Sequence, residues 1–192
     1  LLVMDVFAVK AWWGKQATAE VWRFLPGLFV GVGVGTVLFG SLSEQGVRLV
    51  LGVITLLFAA YMLLKPVAKK PISVRWALPA ASVCGFTSFM AHAGAPPINV
   101  YLLPRKYPKE TFIATCAVSF AVVNVIKLGP YIWLGEVNVT SAWASLLLVP
   151  VAWAGVRSGL WLQSRVNETL FFRLVIVAMF IVGLNLLWQA LT

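Results

Sequence analysis

The chain has 192 residues, 61% of them hydrophobic and 11% charged, with a mean hydropathy of +0.93. Soluble domains are about half apolar and about a quarter charged, so this composition excludes an ordinary soluble domain and describes a polytopic membrane protein. The net charge of +9 does not point to nucleic acid, because the Lys and Arg lie in short loops between apolar runs, as they do on the cytoplasmic face of inner-membrane proteins.

A helical span needs about 20 apolar residues. Residues 1–9 read as the end of one such span, in a chain that opens on Leu1 and resembles the remainder of a longer protein. Apolar runs follow at 25–42, 46–64, 77–94, 111–134, 141–163 and 170–191. The run Gly31-Val-Gly33-Val-Gly35 lacks the spacing and the preceding strand of a dinucleotide loop. Cys84 and Cys116 fall inside spans without metal-ligand spacing, and read as small buried residues. No metal or cofactor is expected.

The chain also repeats itself. Pro26-Gly31-Gly35 and Pro150-Gly155-Gly159 share the spacing P-x4-G-x3-G. Each precedes a short polar loop, an arginine (Arg48 or Arg173) and another span, at an offset of about 124 residues. On that offset residues 1–9 match the end of the run 111–134, and nothing matches 77–110. Glycines every four residues also let helices pack closely whatever the ancestry. Transporter folds are often built from such repeats, with the substrate site between the copies.

Basic residues set the path of the chain. If 77–104 crosses the membrane once, the positive charge divides almost evenly between the two sides. If it dips in and returns, thirteen of the fifteen Lys and Arg fall on one side, Arg48 and Lys127 excepted. The positive-inside bias favours the hairpin, broken at 94–97. The expected architecture is all-α: two inverted structural repeats, each a broken helical hairpin plus three transmembrane helices, with the first incomplete. Residues 1–64 are then the later part of the first repeat, 65–76 a basic cytoplasmic loop and 77–192 the second repeat. The C-terminus lies on the outer side.

Two clusters carry chemistry. The first is "SFMAHAGAPPINVYLLPRK", residues 88–106, with the chain's one histidine. Pro96 and Pro97 cannot continue a helix, and broken backbone at membrane depth needs a cavity or protein around it. A helix restarting near Ile98 would turn its free N–H groups and positive dipole end into the break, as a seat for an anion. Asn99 can donate there, and His92 can either take part or merely cap backbone. The second cluster is Asn124, Lys127 and Tyr131, spaced three and four apart on one helix face. A charge deep in a span costs at least about 2.5–3.5 kcal/mol on insertion scales; Lys127 either faces a functional cavity or snorkels to the interface. The acids lie in loops or, for Asp5, in the first helix, which argues against a bare cation as cargo.

"CGFTSFMAHAGAPPINVYLLPRKYPKETFIAT" followed by "NVIKLGPYIWLG" resembles the second half of the TauE/SafE family, the sulfite exporter-like permeases. The resemblance implies a bacterial inner-membrane permease that moves small sulfur anions such as sulfite or organosulfonates by alternating access. Carried over by motif, the implied substrate site is Gly94, Pro96, Pro97, Asn99 and Tyr101 with Asn124 and Lys127, to which His92 is added from its position. Ala95 stands where the family usually has a second glycine, and the glycine motif of the first half is absent. The alternative is a membrane-embedded enzyme or a non-transporting assembly subunit. The expected partners are a small anion and the lipid bilayer; the oligomeric state is open, a homodimer among the alternatives.

Overall fold

A computed structural model describes residues 2–39, 41, 43–64, 72–135 and 149–191. Lys65, Lys69 and Lys70 of the basic loop, and the run 141–163 before Val149, lie outside the described residues. Among the described residues the regular structure is helical, without strands. The helices are α1 (Leu2–Trp12), α2 (Thr18–Val37), α3 (Glu44–Leu64), α4 (Ala77–Ala91), α5 (Ala95–Leu102), α6 (Lys109–Trp133), α7 (Val149–Arg165) and α8 (Glu168–Leu191). Three of their stretches, Gln45–Leu64, Lys109–Trp133 and Glu168–Leu191, are long and apolar enough to cross a membrane.

The α2 helix begins at Thr18, seven residues before the apolar run that the sequence marks. Its first turns are polar, yet Glu20 is 1% exposed. A polar residue counts against an apolar run even when a partner on another element neutralises it.

The α2–α4 pair forms the centre. A Cβ added at Gly31 would lie 2.0 Å from the Ser82 carbonyl oxygen, and one at Gly27 2.6 Å from that of Leu78. From the other side, a Cβ at Gly85 would meet the Leu28 carbonyl oxygen at 2.6 Å. The two backbones therefore touch, as small residues at helix contacts permit. On α7 the matching Gly155 and Gly159 have nothing within 4 Å among the described residues. The shared glycine pattern thus meets two different environments. Elsewhere α3 packs on α8, and α1 on α6 and α7.

The α4–α5 segment is a hairpin. Tyr101, near the end of α5, lines one apolar pocket with Trp76 and Pro79 at the start of α4. The interruption lies at His92–Gly94 instead of 94–97. His92 takes the left-handed conformation (φ 51°) that ends α4, and the Ala93 N–H reaches back six residues to the Thr87 carbonyl at 3.2 Å, closing the turn. Pro96 and Pro97 occupy the first turn of α5. Their fixed φ suits a helix start, where a missing N–H costs no intrahelical bond, so the prolines begin the returning helix and the histidine turn makes the break.

Candidate functional site

The hairpin turn, α6 and α1 together line a half-open cavity of about 240 Å³ bordered by Asp5, Ser88, His92, Gly94, Ala95, Phe120, Asn124 and Lys127. Lys127 is 2% exposed. Its Nζ donates to the carbonyl and to the Oγ of Ser88, both at 3.1 Å. The amine points into the protein, which excludes the snorkelling alternative. Tyr131, one turn on, donates to the Phe89 carbonyl at 2.7 Å and stacks on the Phe89 ring at 4.7 Å. These contacts hold the end of α6 against the end of α4, and the cation with it.

Gly94 is the N-cap of α5, without a side-chain cap. The positive end of the α5 dipole faces the cavity through Gly94 and Ala95. The sequence leads one to expect a cluster of free N–H groups here, but Pro96 and Pro97 remove two of them. What remains is mainly the field, and Lys127 and Asn124 carry side-chain N–H donors at this cavity. A Cβ at Gly94 would come within 2.9 Å of Ser88 Cβ and 3.0 Å of Cys84 Sγ. Glycine is therefore needed for the turn to sit on α4.

Of the residues that the sequence singles out, His92, Gly94, Asn124 and Lys127 share this cavity. The other four lie elsewhere. Pro97 and Tyr101 line the apolar pocket beside Trp76, and Pro96 is buried in the α5 first turn. Asn99 Oδ1 faces Cys116 Sγ at 3.9 Å. Helix α5 is amphipathic in direction: its start faces the cavity, and its later residues face away from it.

Tyr101 belongs to a second polar centre that sequence reasoning missed. Its hydroxyl donates to Glu20 at 2.9 Å and accepts from Arg105, whose guanidinium stacks over its ring at 4.5 Å. Tyr107 donates to Glu20 at 2.9 Å, Arg23 at 2.9 Å, and Arg105 lies 3.3 Å from the same carboxylate. Burial, then the bond to Glu20, pushes the Tyr107 phenol above its ordinary pKa. Nearby, Lys15 pairs with Glu110 at 2.8 Å. Lys109 Nζ donates to the carbonyls of Gln163 and Val166, and its N–H to Glu168. Lys15 and Arg105 from two connections, with Arg23 of α2 and Lys109 of α6, thus gather at the end of the bundle away from His92.

Asp5 is the other residue missed. The Asn124 amide donates to its carboxylate at 2.8 Å, which brings an acid into the cavity. An acid within an apolar helix was the available signal; its partner, 119 residues away, was not visible.

Residues 1–186 match the family described as Sulfite exporter TauE/SafE. The chain belongs to the TauE/SafE family. No curated protein and no solved structure matches it. As a TauE/SafE protein the chain is a transporter and not an enzyme, and the family implies a membrane exporter of sulfite or related sulfur anions.

Proposed function

We propose that this TauE/SafE protein moves sulfite or a small organosulfonate across the bacterial inner membrane by alternating access, with the hairpin cavity as the substrate site. The observation that carries the reading is the Lys127 ammonium, held inside the protein at the edge of a cavity of about 240 Å³. Lys127 supplies charge, Asn124 an amide donor, and the α5 dipole a fixed positive field. His92 stands at the rim, and Asn99 and Tyr101 support the hairpin from behind. The end bearing Lys15, Arg23, Arg105 and Lys109 is cytoplasmic on the positive-inside bias, and the C-terminus is then periplasmic. The two P-x4-G-x3-G segments descend from inverted repeats, whose relative rocking exposes the site to each side in turn.

Proteoliposomes loaded with labelled sulfite test the reading. The wild-type protein should release the label, and Lys127→Met should abolish release while still inserting and eluting as a folded species. Undiminished release by Lys127→Met would refute the assignment.

A further inference from the structure

The acid in the cavity sits on the donor that the cargo needs. The Asn124 amide carries two N–H donors, and one of them donates to Asp5 Oδ2 at 2.8 Å. Asp5 is half-buried, and it lines the same cavity as Lys127 and His92. A carboxylate and a sulfite or sulfonate are alike in chemistry: each presents oxygens carrying negative charge to the same cation and amide. Both cannot readily hold the site while both are charged, because like charges in a cavity of about 240 Å³ repel.

We propose that Asp5 couples anion movement to protons, its carboxylate charge excluding the anion from the cavity it shares with Asn124 and Lys127 until a proton neutralises it. This rests on the transport reading above. When Asp5 takes a proton from water on the side where the anion enters, its negative charge is neutralised. The anion then binds between Asn124 and Lys127. When the anion leaves on the other side, Asp5 returns its proton to water there and its charge closes the cavity again. One proton accompanies each anion, in the same direction. No bond other than O–H forms or breaks, and no oxidant or reductant is needed.

The groups around Asp5 are compatible with such a cycle. From α6 it meets Asn124 and Lys127, and from the hairpin His92 and Ser88 line the same cavity. Lys10, on its own helix, lines a neighbouring apolar cavity that Asp5 shares. The described charged residues of α7, which packs on α1, are Arg157 and Arg165, with guanidinium groups over Trp153 and Trp161. Lys127 is bonded to Ser88 in this structure, so it is held in place whether Asp5 is charged or neutral. What the proton changes is therefore the charge on Asp5 alone.

The sign follows from linkage. Anion binding is favoured when Asp5 is neutral, so affinity rises as pH falls. Sulfite itself titrates near neutrality, so the decisive comparison is between proteins. In proteoliposomes of the full chain enclosing a pH dye, an inward sulfite gradient should acidify the lumen with the wild type. Asp5→Asn removes the charge and the titration together. It should still move sulfite, with no proton movement beyond what the anion itself carries, and the ratio of wild-type to variant affinity should rise as pH falls. Asp5→Glu, which keeps the carboxylate, should keep the coupling and serves if Asp5→Asn fails to fold. Proton movement equal in the wild type and Asp5→Asn overturns the coupling alone. Wild-type liposomes that move no sulfite at any pH overturn the transport reading and the coupling with it.

Discussion

At the scale of single residues, His92 and Gly94 do separable work. His92 closes the hairpin in a left-handed conformation that costs a non-glycine residue about 1–2 kcal/mol. His92→Gly should therefore leave the thermal midpoint in detergent unchanged or raise it, by up to about 1 kcal/mol of stability, and any loss of anion affinity then reports the imidazole alone. Gly94→Ala pushes a methyl group against Ser88 and Cys84. Overpacking of this kind costs about 1–3 kcal/mol, and because Ser88 holds Lys127, sulfite release should slow together with the drop in midpoint. Glu20 is the most heavily engaged carboxylate: two phenols and two guanidinium groups converge on it. Removing one partner of a buried charge cluster costs about 3–5 kcal/mol. Glu20→Ala should lower the midpoint accordingly, whereas the exposed Lys15→Ala, which breaks a solvent-screened pair, should shift stability by less than about 1 kcal/mol.

At the scale of elements, the α2–α4 contact decides where the hairpin sits. Gly31→Leu cannot be accommodated by side-chain rotation, since the nearest atoms belong to the Ser82 and Phe86 backbones. It should prevent folding or force α4 away, seen as loss of the monodisperse peak on size exclusion. Gly159→Leu, with nothing within 4 Å among the described residues, should be tolerated in the same assay. The hairpin itself was legible from charge alone: Arg105, Lys106 and Lys109 could join the other basic residues only if 77–104 turned back. The turn was misplaced by two residues because Pro-Pro is the strongest helix-breaking signal in the stretch. Proline at a helix start and proline in a helix interior look alike in sequence, and only the position of the preceding turn tells them apart.

At the scale of the whole molecule, the basic end and the cavity end are separated by the length of α6. At 1.5 Å per residue, Lys127 lies roughly 27 Å along the axis from Lys109. Cysteines at Lys15 and Lys106, in a chain cleared of Cys84 and Cys116, should both react with an impermeant maleimide from one and the same side; reaction from opposite sides would mean that α4 and α5 cross the membrane as one span. Composition and the spacing of apolar runs alone determined that the chain is helical and membrane-embedded, because a bilayer demands long apolar helices whatever their partners. The same pattern made Asn124 and Lys127 stand out, since a polar group in a span is costly without a reason. What only the tertiary structure decided is which groups meet. Asp5 lies 119 residues from the amide that binds it, and Glu20 lies 85 from Arg105. No local periodicity encodes such pairs; they exist because glycine contacts between α2 and α4 set the depth and rotation of the hairpin, on which α3 and α6 pack in turn.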